Sequence, residues 1–429
     1  MLRTTSLTLA IGILSFAANT TQPFDGFDSL ASQVLKDFNC VGFAIAVIKD
    51  GQVTFAKGYG LRDQKSNQPV TATTLFAIGS STKSFTVTSL GVLVDQGKLD
   101  WDKPVRSYLP DFQLMDPVAS EHMTPRDLVT HRSGLPRHDR MWINSPLSRQ
   151  EIFERLRFLE PNKDFRASFQ YQNHMFMTAG YLAGRVSGMS WEDHVRKVIF
   201  EPLGMSSTNF SVAGMERAPD HSQPYSLVKE QIREVPFRNI DTIGPAGSIN
   251  SNVEDMAKYV IMHMQHGKGV LSRKNSADMQ SPQMSIGGPP PENKELGAQS
   301  YGMGFFLTSY RGHYLVHHGG NIDGFSALVT FMPQDNIGIV ILSNQNSSQV
   351  PTVVSYNVYD RLLGLDQIDW SKRLKAQRQR GSAGVEEAKK KGYTAQILGT
   401  IRRTPWPITR GTTRIPLTGL PGWLWKTEH

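Results

Sequence analysis

The chain of 429 residues carries 46 Lys/Arg against 38 Asp/Glu, a formal net charge of +8, with 39% hydrophobic residues and a single cysteine. That length and apolar content supply a substantial core and exclude a fibrous or disordered chain, and one cysteine excludes an intramolecular disulfide. The charge is unevenly spread: residues 371–429 hold thirteen Lys/Arg and three Asp/Glu, a net of +10, which leaves 33 basic and 35 acidic residues, a net of −2, on residues 1–370. The body is near neutral, so charge gives no support to nucleic-acid binding.

Met1 to Ala18 combines Arg3, an apolar run from Leu7 to Phe16 and small residues at Ser15, Ala17 and Ala18. This is the pattern of a secretory signal peptide cleaved near Ala17 or Ala18, and the run is short for a membrane span. The reading is a secreted protein, periplasmic if the source is bacterial; in a eukaryote Asn19, Asn209 and Asn346 are glycosylation sequons. Phe27–Phe38 predicts an amphipathic helix. Two strands follow, Val41–Ile48 and Val53–Tyr59, and the Asp50-Gly51 pair between them marks a hairpin. Cys40 has no basic neighbour and reads as a buried, inert thiol.

The chain then reaches Phe76-Ala77-Ile78-Gly79-Ser80-Ser81-Thr82-Lys83. Val87, Leu90 and Val94 recur at helical spacing up to Gly97, so Ser80 and Lys83 lie nearly one turn apart at a helix start. A serine nucleophile needs an adjacent amine able to take its proton, and burial gives a lysine that property. A second Ser-x-x-Lys, Ser226-Leu227-Val228-Lys229, follows a turn and polar residues and reads as a surface serine and a solvated lysine.

Thr124 with Pro125 predicts a capped short helix running into the turn-rich Thr130-His131-Arg132-Ser133-Gly134-Leu135-Pro136. Helical patterns dominate Ser148–Leu203 and Val253–Met264. Tyr171-Gln172-Asn173 is the only Tyr-x-Asn among twelve tyrosines and precedes a helix over Met175–Val186. A phenol there serves as a proton shuttle if a neighbouring lysine charge lowers its pKa, and Asn173 suits holding Lys83 and a substrate amide carbonyl. Alone, the same residues describe a helix cap and a packed tyrosine. From Tyr301 the period changes to strands, at Met303–Ser309, Tyr314–His317, Ser326–Phe331 and Ile337–Leu342, before a helix over Val350–Leu363. Strands at both ends with helices between predict an α+β fold: an antiparallel sheet built from both chain ends, flanked by helices, with an inserted mainly helical region.

His317-His318-Gly319-Gly320-Asn321-Ile322-Asp323-Gly324-Phe325 enters one of those strands. Its glycines let a substrate lie against a strand edge whose N–H groups stabilise an oxyanion. A Gly-rich hairpin is the plain alternative, and a metal site is a weaker one, lacking His-x3-His or Glu-rich spacing.

The order and spacing of Ser80-x-x-Lys83, Tyr171-x-Asn173 and His318-Gly319-Gly320 resemble the serine β-lactamase/penicillin-binding-protein superfamily, in its class C-like branch (the S12-type esterases and peptidases). Lys49-Asp50-Gly51, Gly58-Tyr59-Gly60, Leu128–Leu135, Glu201-Pro202-Leu203-Gly204-Met205 and Pro245-Ala246-Gly247-Ser248 extend the resemblance over roughly Phe27 to Leu365. It implies Ser80 as acylated nucleophile, Lys83 and Tyr171 as general-base pair and Asn173 as positioning group, with backbone N–H groups of Ser80 and Asn321 as oxyanion hole. It implies His318 and Gly320 beside the substrate, with His317 as the alternative register, and needs no metal or organic cofactor. The departure is His318, where β-lactamases and transpeptidases carry Lys. A mostly neutral group in place of a permanent cation implies an esterase or peptidase rather than an antibiotic hydrolase.

The expected organisation is a signal peptide at 1–18, a catalytic domain at 19–370 and a basic tail at 371–429 that is not an independent domain. In the tail, Lys372–Lys391 reads as a charged helix or linker and Arg402–Trp425 as a Pro/Gly/Arg/Trp-rich segment suited to an anionic surface. The function expected is a secreted serine hydrolase acting through a Ser80 acyl-enzyme on an ester, amide or peptide. The alternative is a secreted non-catalytic matrix protein on the same scaffold.

Overall fold

The computed structural model describes residues 23–288 and 291–390. The signal peptide, the Asn19 sequon and the Arg402–Trp425 segment lie outside the described residues. Nine strands form one antiparallel sheet: β1 (Gly42–Lys49), β2 (Gln52–Asp63), β3 (Gln68–Pro69), β4 (Met284–Ser285), β5 (Ser300–Tyr301), β6 (Phe306–Tyr310), β7 (His313–Ile322), β8 (Phe325–Met332) and β9 (Ile337–Ser343). Their spatial order is β3-β2-β1-β9-β8-β7-β6-β5-β4, so the N-terminal hairpin closes against the last strand, with Phe43 opposite Ser343 and Lys49 opposite Ile337.

The centre of this sheet is apolar on both faces because both are covered. Along β1, Phe43, Ile45 and Val47 enter one core while Ala44, Ala46 and Ile48 enter the other, the two-residue alternation of a strand. One face packs on α1 (Phe27–Asp37), α5 (Val350–Leu362) and Trp370. The opposite face carries the larger core, to which α2 (Thr82–Asp95), α3 (Asn173–Ser187) and α4 (Val253–Met264) contribute. Helix α2 is buried from Thr82 through Leu93, so its polar side chains are satisfied inside the protein. Thr86 Oγ1 donates to Pro245 O at 2.7 Å, Ser84 Oγ to Ser81 O at 2.9 Å, and the Thr88 hydroxyl pairs with that of Tyr259 at 2.9 Å.

Two strand boundaries differ from expectation for local reasons. The strand expected at Tyr314–His317 continues through Gly319-Gly320 to Ile322, because β8 supplies a paired backbone along its length, from Val316↔Phe331 to Ile322↔Phe325. The strand expected from Met303 starts at Phe306 because Gly304 takes φ 80°. Strand β6 pairs with β7 only from Tyr310↔His313 to Phe306↔His317, and among the described residues no strand pairs with 318–322 on that side. Ser226 lies on a small hairpin, Tyr225–Val228 with Gln231–Glu234, and Lys229 in its turn at φ 50°, so that second Ser-x-x-Lys makes no helical face. Cys40 is 7% exposed, and burial pushes its thiol up to about 12.

Among the described residues no helix is long and apolar enough to cross a membrane. The compact body ends at Leu374; helix α6 starts within it at Trp370 and reaches Lys390. Trp370 is 1% exposed and donates its indole N–H to Tyr310 Oη at 3.1 Å. Arg373 pairs with Glu295 at 2.9 Å. A chain ended after Leu374 is expected to melt with the full-length protein, whereas one ended after Asp369 loses the buried indole and about 3–5 kcal/mol. Calorimetry of both decides: equal losses from the two truncations mean that residues beyond Leu374 also stabilise the body.

Candidate active site

The strand pair Phe76–Ala77 with Asn250–Ser251 leads into a 3-10 turn, Gly79–Ser81, that feeds α2. One helical step from Ser80 places Lys83 Nζ 3.2 Å from Ser80 Oγ. Lys83 is fully buried and its amine also reaches Asn173 Oδ1 and Ala246 O, each at 2.8 Å. Those two partners are acceptors. Asn173 is fixed in that sense because its Nδ2 donates to Asp139 Oδ1 at 3.1 Å, and a carboxylate accepts only. A neutral amine spends its two N–H groups on Asn173 and Ala246, which leaves its lone pair for the Ser80 hydroxyl.

Burial holds Lys83 well below the usual lysine range, the Arg137 charge lowers it further, and Asp139 opposes both. Tyr171 responds in the other direction from the one a lysine charge would impose. Burial raises its phenol above the ordinary value, with hydrogen bonding to Ser80 and the Arg137 charge acting against it. Burial thus disfavours the charged form of both groups of the expected base pair, the ammonium of Lys83 and the phenolate of Tyr171.

Tyr171 is held by a residue the motifs did not single out. His131 sits at φ 58°; its carbonyl accepts from Gln170 N at 2.7 Å and its Nδ1 accepts from Gln172 N at 3.0 Å. The backbone on either side of Tyr171 is thus clipped to one histidine, whose ring also packs against the phenol with centroids 4.3 Å apart. Its own segment is anchored by buried Asp127, which pairs with Arg132 and Arg166, each at 2.6 Å, and closes a capping box with Thr124.

Strand β7 forms the facing wall. Ser81 Oγ donates to His318 O at 3.1 Å, tying the nucleophile turn to the strand. A Cβ on Gly320 would stand 1.8 Å from Ile78 O and 3.3 Å from Ser80 N, and one on Gly79 would stand 2.8 Å from Asn321 N. Gly320 is therefore required by close approach, and the amides of Ser80 and Asn321 are neighbours, an arrangement able to receive an oxyanion. The Asn321 side chain turns away, donating to Asn346 Oδ1 at 2.8 Å and accepting from Ser347 N at 2.7 Å.

His318 is 1% exposed. Its Nδ1 lies 2.6 Å from Gly319 O and its Nε2 3.1 Å from Tyr301 Oη. A carbonyl only accepts, so Nδ1 carries the proton and the tyrosine donates to Nε2. Burial lowers this imidazole to about 3. It is neutral and both nitrogens are engaged within the protein. His317 stacks on Phe306 with ring centroids 5.6 Å apart.

Ser80, Tyr171, His317, His318, Gly320 and Asn321 line a single cleft of about 700 Å³, together with Arg137. A larger cavity of about 830 Å³, bounded by Arg149, Tyr181 and Trp191, holds none of the motif residues; the chemistry belongs to the smaller one. Arg137, Asp139 and Tyr301 are site residues that sequence patterns missed, and His131, although inside the Leu128–Leu135 segment, is given no role there. Each acts through a contact with a residue distant in the chain.

The Beta-lactamase family profile matches residues 27–360. Unguisins hydrolase ungD of Aspergillus violaceofuscus is 31% identical over 389 residues, spanning 83% of this chain and 68% of that protein. Unguisins hydrolase ungD' of Aspergillus campestris is 29% identical over 401 residues, 89% of this chain and 74% of that one. Among solved structures, the octameric penicillin-binding protein homologue from Pyrococcus abyssi superimposes with a TM-score of 0.70 at 28% identity, covering 80% of this chain and 78% of that chain. With a family match over most of its length, relatives that are hydrolases and a sheet-and-helix architecture in common, the chain belongs to the Beta-lactamase family and is a serine hydrolase of that fold.

Proposed function

We propose that Ser80 is acylated by an ester, amide or peptide substrate, with Lys83 as its base. The observation that carries this reading is the 3.2 Å contact between Lys83 Nζ and Ser80 Oγ, made by a buried amine whose other two partners are pure acceptors. The amine takes the hydroxyl proton as Oγ bonds to the carbonyl carbon. The resulting oxyanion faces the amides of Ser80 and Asn321. The bond to the leaving oxygen or nitrogen then breaks, and the leaving group takes the proton from the Lys83 ammonium, directly or through the neutral Tyr171 phenol. Water repeats the sequence on the acyl-enzyme: Lys83 accepts its proton, the ester bond to Oγ breaks, and Ser80 recovers its proton as the acid departs.

Asn173, engaged at both ends, is a positioning residue in this scheme, and Asp139 positions it. His318 has no N–H left for a substrate carboxylate, which favours esters, amides and peptides over anionic β-lactams on this wall. The relatives named as unguisins hydrolases support hydrolysis as the reaction. The Met1–Ala18 pattern supports action outside the cytoplasm.

A fluorophosphonate is expected to label the protein, with peptide mapping placing the adduct on Ser80 and Ser80→Ala abolishing it. Labelling of Ser226, or none, overturns the assignment, and none favours the non-catalytic alternative. The working form of Lys83 is the free amine, so the rate on p-nitrophenyl butyrate falls on acidification through the lowered lysine pKa, and on raising the pH it reaches its plateau before the ordinary lysine value of 10.5. Lys83→Met should lose about 10²–10⁴-fold in kcat/KM. Hydrolysis of nitrocefin faster than of any ester would refute the preference.

Asp139→Ala removes the acceptor that orients Asn173, and the amide is then free to turn its NH2 toward Lys83. A fall in kcat of about 10²-fold, with near-native melting temperature, is expected on the same ester. An unchanged rate would mean that Asp139 does not control the orientation.

A further inference from the structure

The substrate cleft has one fixed positive charge, and it does not come from the third motif. Among the described residues, those lining the cleft include Arg137 but no Lys, Asp or Glu. Its histidines do not substitute, since His318 is buried with both nitrogens engaged. Arg137 stands across from β7, its guanidinium carbon 5.2 Å from the centroid of the Tyr171 ring, while Lys83 Nζ approaches that ring to 4.8 Å. The arginine and the base thus flank one phenol next to Ser80.

The manner in which Arg137 is held leaves it free to bind. Its side chain is 54% exposed. Its bond to Asp139 runs from Nε to Oδ2 at 2.5 Å, and the Nη groups donate to no described residue. Asp139 is itself divided, because Oδ1 already accepts from Asn173 and Trp142. An arginine gripped at Nε presents the two-pronged end of its fork, the geometry that matches a carboxylate. Resting on the reading of Ser80 as nucleophile, we infer that Arg137 is a substrate-anchoring residue, binding a carboxylate that the substrate carries away from the scissile bond. The cation that β7 lacks at residue 318 is supplied from the opposite wall, which selects an acidic ester, amide or peptide rather than a neutral one.

Two pairs of esters, matched in shape and differing in charge, test this. The 4-carboxyphenyl and 4-carbamoylphenyl esters of butyrate place the charge on the leaving side. The mono-4-nitrophenyl esters of adipic and adipamic acid place it on the acyl side. Wild-type enzyme is expected to favour the anionic member of one pair. The anionic-to-neutral ratio of kcat/KM should drop about tenfold in Arg137→Gln, mainly through KM, and be partly kept in Arg137→Lys. Added salt should erode the ratio in wild type and not in Arg137→Gln. Because Arg137 also supports Asp139 and lowers Lys83, rates on both members will fall together in the variant; only the ratio reports the anchor. If the ratio is unchanged for both pairs while the esters are still hydrolysed, the inference fails and the hydrolase reading stands. If neither ester pair is hydrolysed and fluorophosphonate leaves Ser80 unlabelled, the hydrolase reading fails, and the anchor with it.

Discussion

The site depends on burying an amine with no carboxylate in contact. Lys83 touches a hydroxyl, an amide oxygen and a peptide oxygen, all formally neutral, and the anion of Asp139 is kept one residue away by Asn173. A charged ammonium there would lose its hydration without gaining an ion pair, so the group sheds its proton instead. A carboxylate at position 173 would reverse this, holding the ammonium and removing the base. The choice of an amide over an acid at one buried position therefore sets the protonation state on which nucleophilic chemistry at Ser80 rests.

That amide works only because its orientation is dictated from behind. Asp139 accepts from Asn173 and Trp142 and pairs with Arg137. Burial pushes its carboxyl up, but these three partners together leave it below the ordinary value. A stable carboxylate fixes which end of Asn173 faces Lys83. On the opposite side His131 does comparable work for Tyr171, through two hydrogen bonds that leave its Nδ1 an acceptor and so assign its proton to Nε2. Burial holds this imidazole well below its usual range. The catalytic groups rest on a layer of side chains whose own protonation is settled by their environment.

Much of the fold was legible because its signals are local and periodic. The hairpin at Asp50-Gly51, the Thr124 cap and the strand that became β1 all follow from patterns of a few residues. Helix α2 was legible for a different reason: Val87, Leu90 and Val94 mark one face, although the helix is buried on every side and its hydroxyls give no warning of that. The two-residue strands β4 and β5 carry no period to read, and β7 outran its expected end because pairing with β8 overrides the weak strand preference of glycine. At the site Ser80, Tyr171, His318, Gly320 and Asn321 did come together in one cleft, with Lys83 and Asn173 buried and hydrogen-bonded in line with Ser80. What sequence could not supply was sign and direction. A lowered Tyr171 phenol was conditional on a neighbouring lysine charge; burial instead lowers the lysine and raises the phenol. Nor does the pattern place Arg137 and Asp139, whose importance arises only when residues 137–139 fold against Tyr171 and Asn173.

The closeness of the nucleophile turn to β7 explains the remaining requirement for glycine. Oxyanion stabilisation needs two N–H groups about 3 Å from one developing charge, and backbones carrying side chains on the facing sides are held too far apart for that. At Gly79 the backbone adopts φ 49°, and any Cβ would press on Asn321 N; at Gly320 a Cβ would overlap Ile78 O. Two hydrogens in place of two methyl groups let the turn and the strand meet, while Ser81 Oγ bonded to His318 O keeps them from separating. The third motif consequently has two functions set by alternate residues of one strand. Residue 320 fixes how near the amides come, and residue 318, two positions earlier on the same face, determines whether a charge stands beside them. Here that charge is absent, and the cleft's electrostatics pass to the wall that carries Tyr171.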